Sequence, residues 1–454
     1  MSQKVHLVGI GGAGISAIAK VLHGRGAEVT GSDRVRSIYA AALEREGIRI
    51  AYDHSAENVV GASLVVASSA IPEGNVELVH AMELGIPVLR RDAFLRDLTA
   101  GSETIAVAGT HGKTTTTALI AWLLVQTGLD PTFMVGGMVT DFKSNARVGL
   151  GPHFVIEADE YDRAFLGLRP KVAVVTNVEH DHPDCYPTKA DFHSAFQSFV
   201  DQVEDCLIVC GDDEGAQSLY PGSARKVTYG FSRDEDWQAE DIRTNPAGGS
   251  DFLVIKNGET LSLSRTRLPG DHNVKNALAA LVVVDQLGVD FKRANEALTE
   301  FHGVGRRFEL LGEAKGVTVI DDYAHHPTEI RATLQAARER FPGQEVWAVF
   351  QPHTYSRIRS LLDEFAQAFA DADRVLILDV FAAREAEDPT LSGKVIAENI
   401  DHGDVRFVPD MNGAAQMLFD EVREKSVVIT LSAGDGNKVG RLLLEKLKTN
   451  EGDE

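Results

Sequence analysis

The sequence predicts an α/β protein built from three domains. Two glycine-rich turns, each between an apolar strand and a helix, predict nucleotide-binding sheets in the N-terminal and central parts of the chain. Near the C-terminus, four apolar strands are each followed by polar residues, with helices between them, which is typical of the ligand-binding edge of an open parallel sheet. We therefore predict a Rossmann-like domain over residues 1–100, a central α/β domain of the P-loop ATPase type over 101–306, and a second Rossmann-like domain over 307–454.

The composition restricts the classes of function. The chain has 454 residues, of which 44% are hydrophobic and 25% are charged, as in soluble globular proteins. Its formal charge of −22 disfavours binding to nucleic acid or to an anionic membrane surface as the main function. Three cysteines are too few for a disulfide framework, and no apolar run approaches the ~20 residues that a membrane span needs. With no signal-like segment before the first strand, we expect a cytoplasmic protein without membrane insertion.

A strand from Thr104 to Ala108 runs into a short glycine-rich loop that opens a helix at Lys113. Backbone N–H groups at a helix N-terminus, together with one lysine, form a cradle for phosphate oxygens. A full P-loop would need glycine where the chain has Val107, so the loop is shortened, and an ordinary glycine turn is the alternative. We interpret the loop as an ATP site made by Gly109, Thr110, His111, Gly112, Lys113, Thr114 and Thr115.

The N-terminal glycine turn follows a strand from Lys4 to Gly9 and precedes an apolar helix from Ile15 to Leu22. Its G-x-G-x-x-G pattern, with Asp33 ~20 residues further on, is that of a turn that binds the pyrophosphate of NAD or FAD, and another diphosphate-linked nucleotide fits the same geometry. A strand from Leu64 to Ala70 ends in serines that face the same crevice. The candidate ligand residues of this domain are Gly11, Gly12, Gly14, Ser16, Asp33, Ser68 and Ser69.

Two acidic segments after central strands suggest a metal site. Glu157 follows the strand Phe154–Ile156, where a carboxylate could hold a metal on the nucleotide phosphates, although it could also be an acidic helix cap. The segment E-H-D-H follows the strand Val172–Asn177, and we favour His182 as a ligand of a second Mg²⁺ or Mn²⁺ over a zinc site. His180 is interpreted as an exposed loop histidine.

Further polar residues lie at the starts of helices and at the ends of strands. His272 and Asn276 open an apolar helix, where they could cap it or hydrogen-bond an adenine. Arg306 and Arg307 are adjacent in one loop, and one of them could reach a transferring phosphate. The tail from Thr449 to Glu454 is polar and is predicted to lack regular structure. The polar clusters of the third domain are D-D-Y-A-H-H-P (321–327), Q-P-H-T-Y-S-R (351–357), Asp379 and S-A-G-D-G-N (432–437).

Together these motifs resemble the Mur ligase family of ATP-dependent amide-forming enzymes. They occur in one order along the chain: G-T-H-G-K-T-T-T, E-A-D-E, N-V-E-H-D-H, H-N-V-K-N, G-R-R-F and D-D-Y-A-H-H-P. The resemblance covers nearly the whole chain, from Val5 to Leu444, and implies that the first domain binds a UDP-linked substrate rather than NAD. The segments G-I-G-G-A-G-I-S and F-Q-P-H-T-Y-S-R are most similar to the members that join L-alanine to UDP-N-acetylmuramate.

Two positions bear on which member of the family the chain resembles. Phe196 stands where members that add later residues carry a modified, metal-binding lysine. Tyr161 stands where alanine-adding members usually have serine, and tyrosine is typical of ligases that recycle a preformed tripeptide. A tripeptide-recycling ligase is therefore the second hypothesis, and a nucleotide-binding sensor or NAD-dependent oxidoreductase is the third.

The resemblance also implies roles for individual residues. Lys113 would bind the β- and γ-phosphates, and Arg357 would bind the alanine carboxylate. Metal ligands would be Thr114 and Glu157 for the first Mg²⁺ and His182 for a second Mg²⁺ (or Mn²⁺). The nucleotide would be held by His272, Asn276, Arg306 and Asp322, and the acceptor region would be lined by Tyr323, His326 and His353. The expected catalytic residues are Lys113, His182, Arg306 and His326, in a monomer or weak homodimer.

Overall fold

Three β-sheets with helices on their faces organise the chain in the computed structural model, which describes residues 4–449. The N-terminal elements are β1 (Lys4–Val8), α1 (Ala13–Gly24), β2 (Glu28–Ser32), α2 (Ile38–Arg45), β3 (Arg49–Ala51), a 3₁₀ turn (Ala56–Val59), β4 (Leu64–Ala67), α3 (Val76–Glu83), β5 (Val88–Arg90) and α4 (Arg91–Thr99). Their five strands are all parallel, in the order β3-β2-β1-β4-β5. The strand order reverses beside β1, so the glycine turn after β1 lies at the crevice where such sheets bind ligands.

The central elements form the largest sheet. They are β6 (Glu103–Ala108), α5 (Lys113–Gln126), β7 (Thr132–Val139), β8 (Ser144–Arg147), β9 (His153–Glu157), a 3₁₀ segment (Tyr161–Gly167), β10 (Val172–Val175), α6 (Lys189–Val200), β11 (Cys206–Cys210), α7 (Glu214–Gln217), β12 (Arg225–Gly230), β13 (Trp237–Thr244), β14 (Ser250–Lys256), β15 (Glu259–Thr266), α8 (Asp271–Gln286) and α9 (Phe291–Leu298). The ten strands have the order β15-β14-β13-β12-β11-β10-β6-β9-β7-β8. Parallel pairing from β12 to β7 places the ends of β6, β9 and β10 at one edge of the sheet.

Helix α5 is buried on every side, which explains its continuous apolar sequence. It packs against α8 and α9 on one side and against β6, β7 and β9 on the other. Every residue from Thr114 to Leu124 is buried. The phosphate loop before α5 is therefore anchored on a buried helix.

The C-terminal elements form a sheet of six strands. They are β16 (Glu309–Ala314), β17 (Val317–Asp322), α10 (Pro327–Arg340), β18 (Glu345–Phe350), α11 (Tyr355–Ser360), α12 (Leu362–Ala366), β19 (Arg374–Ile377), α13 (Gly393–Asn399), β20 (Val405–Phe407), α14 (Met411–Glu421), β21 (Ser426–Leu431) and α15 (Lys438–Thr449). The order is β16-β17-β21-β18-β19-β20, and only the β16–β17 pair is antiparallel. The polar clusters after β17, β18 and β21 consequently share one edge, as the sequence predicts.

The α/β class and the parallel-rich sheets predicted from the sequence are confirmed, and the differences lie at the ends of elements. Strand β1 ends before Gly9, whose φ of 82° leaves the β region. Strand β4 ends at Ala67 and β10 at Val175, so Ser68, Ser69 and Asn177 lie in loops. Helix α15 includes Thr449, and the predicted irregular tail after it lies outside the described residues. Within residues 4–449, no helix has the length and apolarity that crossing a membrane requires.

Candidate active site

The loop between β6 and α5 has the shape that two glycines impose on it. Gly109 has φ 137° and Gly112 has φ 81°. A Cβ on Gly109 would lie 2.0 Å from Thr176 Oγ1, and one on Gly112 would lie 2.6 Å from Asn276 Oδ1. Both the backbone conformation and the close neighbours therefore require glycine. The resulting turn directs the first N–H groups of α5 into open space, as a phosphate cradle needs.

Lys113 is bound to a buried glutamate. Its Nζ donates to Glu160 Oε1 at 2.9 Å and to the carbonyl of Thr110 at 3.1 Å. Burial lowers the pKa of Lys113, but the carboxylates of Glu160 and Asp159 outweigh this effect and raise it. Lys113 is therefore protonated and positively charged in the site. Glu160 belongs to the E-A-D-E motif, but nothing in the sequence indicates this contact.

Oxygen ligands suited to a divalent cation lie beside Lys113. Thr114 Oγ1 donates to Glu157 Oε1 at 3.0 Å, and the other oxygen of Glu157 accepts from the Gly136 N–H at 2.7 Å. Burial raises the pKa of Glu157, and the nearby Lys113 partly opposes that shift. A hydroxyl and a carboxylate in contact are the kind of oxygen donors that Mg²⁺ takes, so these two residues fit the predicted metal.

His182 lies beside Glu160 in the site, and its backbone has an uncommon conformation. Its φ is 55°, in the left-handed region that histidine adopts uncommonly. The ring Nε2 lies 3.5 Å from Glu160 Oε1, and the ring Nδ1 is buried without a hydrogen-bond partner among the described residues. Burial lowers the pKa of His182, whereas Asp181 and Glu160 raise it by more. Glu160 thus contacts both Lys113 and His182. The sequence predicts separate roles for these two residues, Lys113 at the phosphates and His182 at a metal ion.

A cavity of about 420 Å³ opens next to the phosphate loop, between the central and C-terminal domains. This volume is in the usual range for small-molecule sites. Its lining includes the predicted residues His111, Gly112, Thr115, His272, Asn276 and Asp322. It also includes Arg307, the second of the paired arginines, and Phe231, which no sequence motif indicates.

The two arginines of the G-R-R-F loop have different surroundings. Arg306 Nε donates to Asp321 at 3.2 Å, and its Nη2 donates to the Ser432 carbonyl, so its guanidinium is held by the C-terminal domain. Arg307 lines the cavity, and both guanidinium carbons lie 5.0 Å from the Tyr323 ring centre. In this arrangement Arg307, rather than the predicted Arg306, is directed at the nucleotide cavity.

The predicted nucleotide residues His272, Asn276 and Asp322 also support the local structure. Asn276 Oδ1 accepts from Thr116 Oγ1 of α5 at 3.1 Å. Asp322 accepts from the N–H groups of Phe308 and Ala324, and burial raises its pKa to about 6. Burial lowers the pKa of His272 to about 4, so this ring is neutral at physiological pH. A neutral imidazole and amide beside the cavity can hydrogen-bond an uncharged base.

His111 joins the phosphate loop to the C-terminal domain. Its Nε2 lies 2.9 Å from Glu179 Oε2, and its Nδ1 lies 3.2 Å from Glu329 Oε1 of α10. Burial lowers the pKa of His111, but the two carboxylates raise it to about 9. His326 packs 4.7 Å from His111 between ring centres, and ligand atoms of His111, Glu179 and His326 lie within 4.8 Å of one another. The protonated ring of His111 neutralises negative charge in this cluster. The three groups could also hold a cation.

His326 caps α10 rather than standing free. Its Nδ1 accepts from the Thr328 N–H at 3.3 Å, and its Nε2 is buried with no hydrogen-bond partner among residues 4–449. Burial lowers its pKa to about 4. The ring is therefore neutral and offers Nε2 to the site.

Arg357, predicted to bind the acceptor carboxylate, already binds a carboxylate of the protein. It is 3% exposed, and its Nε and Nη2 donate to the two oxygens of Asp181 at 2.8 and 3.2 Å. Burial lowers the pKa of Arg357, and Asp181 more than restores it. His353 lies 3.2 Å from Nη1 of this arginine. The predicted acceptor region therefore lies at the contact between the central and C-terminal domains.

Tyr161 lies at the rim of the same contact. The guanidinium of Arg384, in the loop after β19, lies 4.1 Å from the Tyr161 ring centre and donates to Asp184 at 2.9 Å. Tyr161 Oη also donates to Asp184, at 3.3 Å. The sequence signalled Tyr161 as unusual, but nothing in it identified Arg384 as its neighbour.

The carboxylate of Asp33 contacts the glycine turn of the N-terminal domain. Asp33 Oδ2 accepts from the Gly11 N–H at 2.9 Å. Ser16 is buried and accepts from Asn145 of the central domain at 3.0 Å, so its hydroxyl serves a domain contact in this arrangement. Ser68 and Ser69 are partly exposed in the loop after β4, at the same edge as Gly12 and Gly14.

Comparisons with known proteins identify the family of the chain. A model described as "Mur ligase family, catalytic domain" matches residues 4–103, "Mur ligase middle domain" matches 107–284, and "Mur ligase, glutamate ligase domain" matches 306–434. The UDP-N-acetylmuramate--L-alanine ligase of Roseiflexus castenholzii is 43% identical over 97% of this chain and 96% of its own. The chain belongs to the Mur ligase family. The enzyme of the same name from Caldanaerobacter subterraneus subsp. tengcongensis is 41% identical over 98% of each chain.

Solved Mur ligase structures show the same three-domain fold. The UDP-N-acetylmuramate-alanine ligase of Thermotoga maritima superposes with a TM-score of 0.85 at 32% identity, over 98% of this chain and 99% of that one. A murein peptide ligase from Psychrobacter arcticus superposes with a TM-score of 0.73 at 26% identity, over 98% and 99% of the two chains. Both predicted kinds of Mur ligase are therefore similar to this chain over its whole length.

Proposed function

We propose that this chain joins L-alanine to UDP-N-acetylmuramate in an ATP-dependent amide ligation, a step of peptidoglycan precursor synthesis. The observation that carries the proposal is the near-full-length similarity, at 41–43% identity, to relatives of that name. The geometry supports it. Glu160 contacts both Lys113 and His182, and the phosphate loop, a carboxylate suited to a metal and the domain contact that contains Arg357 all lie beside them.

The chemistry needs an activated carboxyl group, because a carboxylate and an amine do not condense in neutral water. A carboxylate oxygen of the donor attacks the γ-phosphorus of ATP, the bond to the β–γ bridging oxygen breaks, and ADP leaves with its electrons. Lys113 stabilises negative charge on the phosphoryl group in flight. The alanine nitrogen, as the free amine, then attacks the acyl carbon, the carbon–oxygen bond breaks to release phosphate with its electrons, and the nitrogen gives up one proton.

Thr114 and Glu157 are the proposed ligands of a Mg²⁺ (or Mn²⁺) ion, and His182 would help to hold a second. Such ions supply neutralisation of the phosphate charge when they are bound. Glu160 would orient both Lys113 and His182, since its side chain is buried and contacts each of them.

In the nucleotide cavity, His272 and Asn276 are proposed to contact the adenine, with Asp322 on the ribose side. We add Arg307 to the predicted Arg306 as a phosphate contact, because Arg307 lines the cavity. The acceptor would bind near Tyr323, His326, His353 and Arg357, where the C-terminal domain meets the loop that carries His182.

A tripeptide-recycling ligase remains the second candidate, favoured by one specific observation. Tyr161, the residue typical of that class, lies at the rim of the proposed acceptor region with Arg384 against its ring. Phe196 does not separate the two candidates, because both lack the modified lysine there, and in this chain it is fully buried against Phe165 and Phe192.

Phosphate release tests the proposal. Purified protein with ATP and Mg²⁺ should release phosphate only when UDP-N-acetylmuramate and L-alanine are both present. Release with the donor and L-Ala-γ-D-Glu-meso-diaminopimelate, but not with L-alanine, would favour the second candidate. Failure with both acceptors would contradict the proposed function. The expectation of a monomer or weak homodimer is a separate prediction, which sedimentation measures.

A further inference from the structure

Arg90 and Arg91 follow one another at the junction of β5 and α4 and point to different domains. Arg90 Nη1 donates to the carbonyls of Ser68 and Ile71, at 3.3 and 2.8 Å, and so fixes the loop after β4. Arg91 Nη2 instead donates to Asp159 Oδ2 of the central domain at 2.5 Å. The second arginine therefore connects the two domains that are proposed to hold the donor and ATP.

The rest of the Arg91 guanidinium lies against the N-terminal glycine turn. A Cβ placed on Gly14 would be 2.9 Å from Arg91 Nη1, so the guanidinium fills the space that the glycine leaves beside the first turn of α1. The Nε atom is buried and has no hydrogen-bond partner among residues 4–449. A buried nitrogen of a charged group without a partner is costly, and a ligand oxygen would relieve that cost.

The position suits an anion with several oxygens. A guanidinium presents a planar fork that matches phosphate geometry, and the N–H groups at the start of α1, a helix of 12 residues, favour negative charge in the same place. Asp159 accepts from Nη2, whereas Nη1 lies beside Gly14 of the glycine turn and is the arm of the guanidinium available to an anion there.

Asp159 connects this position to the ATP site through its own neighbours. Its Oδ1 accepts from the Tyr161 N–H at 3.1 Å, so the carboxylate also fixes the turn that contains Glu160. Glu160 in turn contacts Lys113 Nζ and His182 Nε2. A change in how Arg91 and Asp159 pair would therefore move a residue that holds the lysine of the phosphate loop.

We propose that Arg91 is a donor-positioning residue: its guanidinium binds the diphosphate of the UDP-linked substrate, and its pairing with Asp159 couples donor binding to the ATP site. This inference rests on the proposed function, since it takes the donor to be a UDP-linked sugar bound at the N-terminal glycine turn.

The first experiment separates phosphate binding from a merely structural role. Titration calorimetry compares UDP-N-acetylmuramate, UDP and uridine on wild type, Arg91→Met, Arg91→Lys and a control, Arg96→Met, which replaces an exposed arginine of the same helix. We expect Arg91→Met to weaken both diphosphates about ten- to a hundredfold, Arg91→Lys to weaken them less, and Arg96→Met to leave them unchanged. Uridine, which has no phosphate, should bind all four proteins alike.

Coupling is measured on Asp159→Asn. In wild type, donor affinity should rise when Mg²⁺ and a non-hydrolysable ATP analogue are present, and in Asp159→Asn this rise should disappear while donor binding alone persists. Asparagine keeps a side-chain oxygen that can accept from Arg91, whose side chain is 16% exposed, and thermal melting of each variant checks that the fold is intact.

The outcomes separate the two claims. Wild-type protein that binds neither UDP-N-acetylmuramate nor UDP would overturn the proposed function and this inference together. Wild-type binding with unchanged diphosphate affinity in Arg91→Met, or with equal losses for UDP and uridine, would overturn the role of Arg91 alone. An unchanged response to the ATP analogue in Asp159→Asn would overturn the coupling.

Discussion

Arg357 and Asp181 form a buried ion pair between the C-terminal and central domains. Arg357 therefore has two possible partners, Asp181 and the carboxylate of the acceptor. A guanidinium that is satisfied on one face by Asp181 can still offer Nη1, which lies toward His353, to an acceptor carboxylate. Losing the arginine would also leave Asp181 as an unpaired buried charge, and breaking such a pair costs about 3–5 kcal/mol.

Arg357→Ala should therefore lower both stability and acceptor affinity. We expect the KM for L-alanine to rise on the order of ten- to a hundredfold, more than the KM for ATP, because one charge-assisted contact is lost. Unfolding in urea should show a loss that Asp181→Asn partly restores in the double variant. The control is Arg359→Ala, an exposed arginine of the same helix. An unchanged alanine KM would contradict the acceptor role.

His111 stabilises the domain contact only while it is protonated. Its folded-state pKa of about 9 lies above the ordinary value of 6.5, so the stabilisation is fully present below about pH 6.5 and is lost as the pH rises through 9. Burial raises the pKa of Glu179, but the hydrogen bonds from His111 and Thr328 and the nearby positive charge together lower it to about 2. That contribution is present above about pH 4.5 and is lost as the pH falls toward 2.

The free energy of unfolding should consequently decrease between pH 6.5 and 9, by at most roughly 3 kcal/mol for this group. Urea titrations at half-unit pH steps measure it, and His111→Gln should flatten the curve in this range. His23→Gln, which replaces an exposed histidine of α1, is the matched control. A pH profile of His111→Gln that matches wild type would show that the ion pairs contribute nothing.

At the scale of elements, the site consists of turns between strands and helices. The conformation of each turn depends on residues within the turn itself, such as its glycines. Gly112 is the N-cap of α5, and Gly128 follows the end of the same helix, with φ values of 81° and 88°. An added Cβ would meet Asn276 at Gly112 but nothing within 4 Å at Gly128. The two glycines therefore share a backbone conformation and differ in their surroundings.

Gly112→Ala and Gly128→Ala should each lose about 1–2 kcal/mol of stability, because both place a side chain in the left-handed region. Only Gly112→Ala should also lose binding of an ATP analogue, since its methyl group would displace Asn276 and distort the phosphate loop. Thermal melting and calorimetry measure the two effects. Equal nucleotide affinity in the two variants would contradict the assigned role of the loop.

What could be predicted from the sequence was local. The glycine turns, the strands before them and the polar residues after β17, β18 and β21 depend on runs of a few residues, and the fold contains them. Glu160, Glu329 and Arg384 could not be identified as partners, because each acquires its role only when loops from different elements meet. Ser16 illustrates the reverse case, since its motif position indicates a ligand while the packing of α1 on the central domain occupies its hydroxyl.

At the scale of the whole molecule, several polar contacts join the central and C-terminal domains, and three of them pair ionisable side chains on either side of the site. They are Asp181 with Arg357, His111 with Glu329, and Asp184 with Arg384. All three lie beside the nucleotide cavity or the proposed acceptor region. Ligands that add negative charge at this contact would change how tightly the two domains are held together.

Because the donor, ATP and L-alanine are assigned mainly to different domains, their reacting groups can meet only when the domains close. We expect the radius of gyration to decrease when UDP-N-acetylmuramate and a non-hydrolysable ATP analogue bind together. Small-angle X-ray scattering of the free and doubly liganded protein measures this change. Identical scattering curves in the two states would count against closure.

The central claim is that the molecule ligates L-alanine itself, with Lys113 at the reacting phosphoryl group. The most direct measurement is the mass of the nucleotide product formed from UDP-N-acetylmuramate, ATP and an equimolar mixture of L-alanine and L-Ala-γ-D-Glu-meso-diaminopimelate. Wild type should give UDP-N-acetylmuramoyl-L-alanine as its main product, and Lys113→Ala, which should still bind the donor, should give none. A main product that carries the tripeptide would contradict the account. Lys113→Ala turnover above about a tenth of wild type would also contradict it, because a tenfold loss corresponds to only about 1.4 kcal/mol of activation free energy.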